Sequence, residues 1–544
     1  MDRLLLLSTL LLPALGAVLV LLMGPFGRAA VRQSALVTAI LTFAASAVLL
    51  VRYPGGDALF AASSLEWIDP SWGWKIRMSV GLDGLSVWFF GLAAMLMVSS
   101  VLISWEAIRE RPAAFYALLL LLEAGCLGVF AAQDVILFYM FFEFTLIPLF
   151  FLIGVWGSAE RRRAAIKFFL YTLAGSMLTF VGLLALVLWH YQQAGNLTFS
   201  IPALRSGIAG EDAVMSVTTQ SWIFVALLAG LAVKVPLFPL HTWLPLAHVE
   251  APAAGSVMLA GVLLKIGTYG FVRFNMAMLP DATARFMPYL LWLAVAGILY
   301  GALVSLAQKD IKRLIAYSSV SHLGFCMLGV LALNRLGVQG GTLQMINHGL
   351  STGGLFACVG MLYERYHTRE IRELGGLASQ VPVLAFFMLV FTLSSIGLPG
   401  LNGFVGEFLL LVGMFQRAFS GLGTDWDIQL RCIAVLAVLG VVLGAWYMLW
   451  LVERVFFGRY RQPGARRDES TVRDLSLREV VALAPLVVFI LWIGVQPAVF
   501  LHPMQSTLNG IVSELDTAYD RQHPVDRSRV ARLGSGNTAR RGLP

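Results

Sequence analysis

Residues 231–252 read LAVKVPLFPLHTWLPLAHVEAP, an apolar stretch carrying one lysine, four prolines, two histidines and one glutamate. Proline has no amide hydrogen and its ring clashes with the carbonyl four residues earlier, so a helix running into Pro236 and Pro239 must break. Lys234 stands just before that break. At membrane depth, irregular backbone survives only where protein or a water-filled cavity satisfies the freed polar groups. The stretch therefore predicts a discontinuous helix with a buried cation at its interruption.

The rest of the chain makes membrane depth the right setting. Of 544 residues, 58% are hydrophobic and 13% charged, with a mean hydropathy of +0.79, whereas soluble domains carry about 25% charged residues. Apolar runs long enough to cross a hydrocarbon core of about 30 Å recur throughout. They lie near residues 4–23, 34–51, 81–105, 113–132, 134–156, 165–190, 221–240, 253–275, 285–307, 314–333, 342–363, 381–416, 430–457 and 478–501. The expected fold is an all-α polytopic membrane protein of about 14 transmembrane helices. The first run has Pro13 at its centre and no small-residue cleavage site after it, so it reads as a retained helix rather than a signal peptide.

A net charge of +8 would suggest nucleic acid as partner for a soluble protein. Here the arginines cluster in short loops after odd-numbered helices, and the positive-inside rule accounts for them. Both termini are thereby expected on the outer side of a bacterial inner membrane, with no nucleic-acid partner. The segment 502–544 is polar and rich in Gly, Ser and Arg, a composition that predicts disorder. Cys126, Cys326, Cys358 and Cys432 fall in four different spans without C-x-x-C spacing and read as small buried hydrophobes. With no dinucleotide loop and no His or Cys cluster either, the chain itself is expected to bind no metal and no cofactor.

A charge at mid-bilayer costs at least about 2.5–3.5 kcal/mol, so ionisable residues inside spans carry the information. Glu143, Lys234, Lys265 and Glu407 sit near span centres. Only six of the 39 basic residues are lysine, yet both mid-membrane cations are lysine. Arginine does not release its proton, whereas a desolvated lysine can exchange one near neutrality. Lys234 and Lys265 are therefore read as proton carriers, with Glu143 the expected counterpart of Lys234. His322 and His348 share the interior and extend the series into a relay through bound water. His241, His248, Glu106 and Glu123 are secondary candidates, and Glu106, Glu123, Asp134, Lys167, Arg273 and Arg431 are placed nearer span ends, with solvated or interfacial surroundings as their default.

A second break, IGLPGLNGF at residues 396–404, precedes Glu407. Two breaks five spans apart suggest two inverted five-helix repeats, helices 4–8 and 9–13, with helices 7 and 12 broken beside a central site. The chain then divides into N-terminal helices over 1–105, a first repeat over 113–275, a second over 285–457, helix 14 over 478–501 and the tail 502–544.

The stretches FYMFFEFTLIPLFFLIG, LAVKVPLFPLHTWLPLAHVEAPAAGSVMLAGVLLKIGTYG, IKRLIAYSSVSHLGF, NHGLSTGGLF and GLPGLNGFVGEF resemble the antiporter-like membrane subunits of proton-pumping NADH:quinone oxidoreductase, respiratory complex I. The likeness covers about residues 80–460 and is to the subunit M type, whose mitochondrial counterpart is the fourth subunit. The glutamate at position 407 carries that distinction, since the L and N types generally have lysine there. Leu246 departs from the pattern, where relatives usually show a polar or charged residue.

The resemblance implies that Glu143 modulates Lys234, that Lys234 takes a proton from the inner side, and that Lys265 and His322 carry it across. Glu407 would release it outward, with His348 supporting the water chain. It further implies that FMN, iron-sulfur clusters and quinone belong to other subunits, and that the partners are L- and N-type chains and the lipid bilayer. Two alternatives stand beside it, a subunit of a multisubunit sodium/proton antiporter and a membrane subunit of a hydrogenase complex.

Overall fold

The computed structural model describes residues 1–68, 76–209, 215–420, 426–461 and 472–522. Among these, eleven helices are long and apolar enough to cross a membrane, and Val87–Ile103 and Pro382–Ser395 are shorter apolar helices. The chain is a multi-pass helical membrane protein. The helix Arg335–Tyr366 is more polar, and Gln339, Gln344, Asn347, His348, Ser351 and Thr352 along it are all buried. Polar side chains cannot face lipid without cost, so this helix runs through the interior. The helical stretch Ala253–Met276 beside it is buried along its whole apolar window.

Successive helices pack as neighbours in the same order in two halves. Pro112–Ala131, Val135–Trp156, Arg161–Ala194 and the broken helix at Val217–Lys234 follow one another in the first half. Pro280–Leu306, Ile311–Leu331, Arg335–Tyr366 and the broken helix at Pro382–Phe419 do so in the second. The halves meet where Ala253–Met258 and its continuation lie against Arg335–Tyr366, and where Leu244–Glu250 lies against Ile311–Leu331.

Both expected breaks are present. The helix Val217–Lys234 ends at the lysine and resumes only at Leu244–Glu250. The Leu237 amide donates to the Ala232 carbonyl at 2.9 Å and the Trp243 indole to the Val233 carbonyl at 2.9 Å, so the last carbonyls of the helix are not left bare. At the other break, Pro382–Ser395 ends and Asn402–Phe419 begins. Gly397 and Gly400 turn the chain there with φ of +73° and +91°, conformations that L side chains rarely adopt.

Four features amend the expectations from sequence. The all-α reading is interrupted by an antiparallel hairpin, Phe60–Ile68 paired with Ile76–Leu82, so the span read as 81–105 becomes helical only at Val87. The span read as 134–156 is split at Thr145, where Pro148 cannot donate to the carbonyl of Phe144. The helix carrying Lys265 is widened into π turns at Leu259–Leu263 and Phe271–Met276. Finally, much of the segment expected to be disordered is the helix Ala498–Gln522, whose Phe500, Met504, Leu508, Ile511, Leu515 and Tyr519 are buried on one side. Its apolar residues recur at helical spacing, a pattern that the polar average conceals; residues 523–544 lie outside the described residues.

The structure also corrects the expectation that Arg273 lies near a span end with interfacial surroundings. Its guanidinium is buried and forms two hydrogen bonds to Asp83, at 2.5 and 2.9 Å, with the Tyr269 hydroxyl accepting another at 2.9 Å. The pair ties the hairpin's end to the helix of Lys265. Arg273→Ala should cost about 3–5 kcal/mol by stranding a buried carboxylate, whereas adding Asp83→Ala should recover part of that loss. Unfolding temperatures of the single and double variants in detergent would check this; equal losses in both would contradict it.

Candidate functional site

Lys234 is buried at the end of its helix, with its ammonium 3.6 Å from the centre of the Phe142 ring and donating to the Phe142 carbonyl at 3.2 Å. That carbonyl also accepts from the Thr145 hydroxyl at 2.8 Å, because the helix is interrupted at this point. Glu143 is the next residue. Its Oε1 has no hydrogen-bond partner among the described residues, and the Lys234 ammonium donates to the Phe142 carbonyl rather than to this carboxylate.

Lys265 is fully buried and donates to the Ala260 carbonyl, one of the groups displaced by the π turn. Its Nζ also lies 2.6 Å from His348 Nδ1. Since the ammonium only donates, His348 accepts at Nδ1 and carries its proton on Nε2, which has no partner among the described residues. The His348 and His322 rings are 5.7 Å apart, centre to centre. His322 Nδ1 lies 3.6 Å from Glu407 Oε1, while its Nε2 faces Ser395 Oγ at 3.2 Å and the Tyr447 hydroxyl at 3.5 Å.

Glycines permit these approaches. A Cβ on Gly349 would stand 2.8 Å from the Gly261 carbonyl oxygen, and one on Gly267 would stand 2.7 Å from the Val235 amide beside Lys234. Small residues let membrane helices meet backbone to backbone. The Lys265 helix is thereby seated against both the Lys234 break and the His348 helix.

Glu407 is held by residues that do not stand out in the sequence. Gln344 donates to its Oε1 at 3.1 Å, Asn347 donates to Gln344 at 3.1 Å, and Asn347 also donates to the Asn402 carbonyl at 2.7 Å. Gly406 leaves room for this network, since a Cβ there would meet Gln344 Oε1 at 2.2 Å. The available signal is the run of amides and hydroxyls in the helix Arg335–Tyr366, a polarity that a lipid-facing helix would not carry.

The secondary candidates divide. His241 is buried with its ring 5.0 Å from that of Tyr300 and 5.7 Å from that of Phe238, near the first break. His248 is stacked 4.4 Å from Phe356 and neither ring nitrogen has a partner among the described residues. Glu106 is largely exposed and pairs with Arg478 at 3.2 Å, so it does not face the interior path. Glu123, with a solvated or interfacial default from sequence, is fully buried instead. Lys312, which is not a candidate from sequence, is buried and donates to the Ala251 carbonyl at 2.5 Å. Cys126, Cys326 and Cys358 are buried, but Cys432 is exposed on the apolar surface, contrary to its reading as a buried residue.

The arrangement can bind and pass protons. From Lys265 to Glu407 each step is a direct contact or a gap that one water can span, between groups that can each hold or give up a proton. The family described as NADH:quinone oxidoreductase/Mrp antiporter, transmembrane, matches residues 132–422. NADH-quinone oxidoreductase subunit M of Rhodobacter capsulatus is 40% identical, over 92% of this chain and 94% of its own. NADH-ubiquinone oxidoreductase chain 4 of Marchantia polymorpha is 39% identical, over 92% and 96%. A chain of respiratory complex I from Thermus thermophilus, solved with bound NADH, superimposes with a TM-score of 0.80 at 33% identity, covering 94% of this chain and 99% of that one.

The glycine contact gives a direct test. Gly349→Ala should push the two helices apart by a few tenths of an ångström and lengthen the Lys265–His348 contact, as seen in a structure of the variant. An unchanged contact would show that the helices yield elsewhere.

Proposed function

The chain belongs to the NADH:quinone oxidoreductase/Mrp antiporter membrane-subunit family and is of the subunit M or chain 4 type of complex I, and from that premise we propose how its own residues move a proton. As an antiporter-like subunit of an oxidoreductase it would work beside L- and N-type chains in the lipid bilayer. FMN, iron-sulfur clusters and quinone would reside in other subunits, and this chain would carry no redox group. The membrane would be a bacterial inner membrane with both termini outside, and the two halves would be inverted copies of one five-helix unit.

The observation that carries the reading is the run Lys265–His348–His322–Glu407, four ionisable groups in sequence across the interior. A proton reaches Lys234 from the inner side, through the break that His241 flanks. Glu143 governs its retention, because a carboxylate nearby favours the ammonium and loss of that influence favours the amine. Water between the abutting helices passes the proton to Lys265. Lys265 gives it to His348 Nδ1 across 2.6 Å, and a water bridges the two imidazole rings. The imidazolium of His322 is stabilised by Glu407, which then releases the proton outward. Quinone reduction elsewhere in the complex would drive the cycle through electrostatic and conformational coupling.

Lysine rather than arginine is essential to this scheme, since the site must lose its proton. Lys234→Ala, Lys234→Arg and Glu143→Ala should each leave the complex assembled while abolishing most proton-coupled NADH oxidation. Reconstitution in liposomes with separate proton and sodium indicators would measure it. Normal pumping by assembled Lys234→Ala would identify the chain as a scaffold, and sodium movement in the wild type would favour the antiporter alternative.

A further inference from the structure

The second half of the bundle carries a group of cations that the proton path does not use. Lys309 follows the helix Pro280–Leu306, and Arg372 lies in the connection between Arg335–Tyr366 and Pro382–Ser395. Arg454, Arg459 and Arg461 lie at the end of the helix Asp427–Phe456 and just beyond it. These segments enclose a cavity of about 730 Å³. Among the described residues all five basic side chains line it, and Glu453 is the one acid that does. None of the five forms an ion pair among the described residues, whereas Arg365 and Arg369, which lead into the same connection, pair with Glu479 at 2.8 Å and Asp310 at 3.3 Å. Like charges gathered in this way repel one another unless a charge of opposite sign joins them.

Backbone contacts hold the cavity's walls together. The Ile371 amide donates to the Lys309 carbonyl at 2.9 Å, the Arg461 amide to the Gly375 carbonyl at 2.9 Å and the Gly376 amide to the Phe457 carbonyl at 3.2 Å. Gly376, at a φ of +64°, lets the connection press on the arginine-bearing segment, since a Cβ there would stand 2.5 Å from the Tyr460 amide nitrogen.

A second cavity, of about 440 Å³, continues from the first, because Trp450, Glu453 and Phe457 line both. The rest of its wall is apolar, from Leu389, Trp446, Leu449 and Val452. Trp446 and Leu449 are exposed, as are Val435, Val438 and Val442 at helical spacing before them, so this side of the helix faces lipid. From Trp446 to Phe457 the helix rises about 16 Å, close to half of a hydrocarbon core of about 30 Å. Trp450 stands where the basic cavity meets the apolar one, with the Arg454 guanidinium 5.4 Å from its ring centre. An indole suits the headgroup level of a membrane.

We propose that the two cavities form one binding site for an anionic phospholipid, its phosphate among Lys309, Arg372, Arg459 and Arg461 and an acyl chain along Trp446 and Leu449. Basic pockets between membrane helices hold anionic headgroups. A free anion would compensate the cations but leave the groove unfilled, and a zwitterionic lipid would fill the groove but leave the cations uncompensated. The bound headgroup fastens three segments together. One leads into the helix of His322, one follows the helix of His348, and one ends the helix that supplies Tyr447.

The test compares electron cryo-microscopy structures of assembled complex I in nanodiscs of phosphatidylglycerol and of phosphatidylcholine, after detergent exchange of the lipids. Phosphatidylglycerol should give continuous density from the basic cavity into the groove, with its phosphate at hydrogen-bonding distance from a guanidinium. Phosphatidylcholine should leave the basic cavity without a headgroup. The triple variant Arg372→Gln, Arg459→Gln, Arg461→Gln should lose the density in phosphatidylglycerol, since about a fivefold weakening per charge lowers affinity about a hundredfold in all. Equal density in both lipids, or density kept by the variant, would overturn recognition by charge. An empty cavity, a lone ion without chains, or acidic side chains of a neighbouring subunit among the cations would overturn the lipid site. Should the triple variant not assemble, the wild-type comparison between the two lipids decides alone.

Discussion

In a bilayer interior every backbone carbonyl must find a donor within the protein, and this requirement organises the molecule. Glu143 sits at the interruption before Leu146, Lys234 at the last turn of its helix, Lys265 just after a π turn, and Glu407 in the second turn after the break at Ser395. The coincidence has a cause. A helix interruption frees carbonyls, and a buried ammonium needs acceptors. Lys234 takes the carbonyl of Phe142 and Lys265 that of Ala260, so each cation is solvated by backbone rather than bound to an acid. A lysine held by neutral acceptors can lose its charge without stranding a carboxylate, which a tight ion pair would not allow.

Distances along the run Lys265–His348–His322–Glu407 depend on glycines and amides beside it. Gly261 and Gly349 bring the two interior helices together so that Lys265 reaches His348. Gly397, at a positive φ, lies where a side chain would press on Glu407 Oε2 at 2.6 Å. The amides of Gln344 and Asn347 then fix the carboxylate from the other side. The spacing of these ionisable groups is set by close packing of the backbone that carries them.

Much of this is legible in the sequence because the signals are strong ones. Long apolar runs, prolines inside two of them and lysines among arginines each report a large free-energy cost that something must offset. The features that escape have weaker signatures. The split at Thr145 follows from one proline within an otherwise continuous run, and a π turn leaves no trace in residue type at all. The burial of Arg273 cannot be read because its partner, Asp83, is nearly two hundred positions away. Charge marks Glu143 and Lys234 as counterparts but does not show what the lysine touches, and the geometry gives it a carbonyl and an aromatic face. For Ala498–Gln522, averaging over a polar segment hides an amphipathic stripe.

That last helix lies across one end of both halves. Glu514 meets Arg205 at 3.0 Å, Asp516 meets Arg417 at 2.8 Å, Arg521 meets Asp281 at 3.3 Å, and its Pro503 backbone abuts Gly84 beneath the hairpin. Each contact is partly exposed and individually modest. Together they form a brace anchored in three separate parts of the bundle. Wide rocking, by which many carriers expose a site to alternate sides, would act on every one of these anchors. A large rotation of one half against the other would have to break these contacts together, whereas a change confined to a few interior side chains would leave all of them in place.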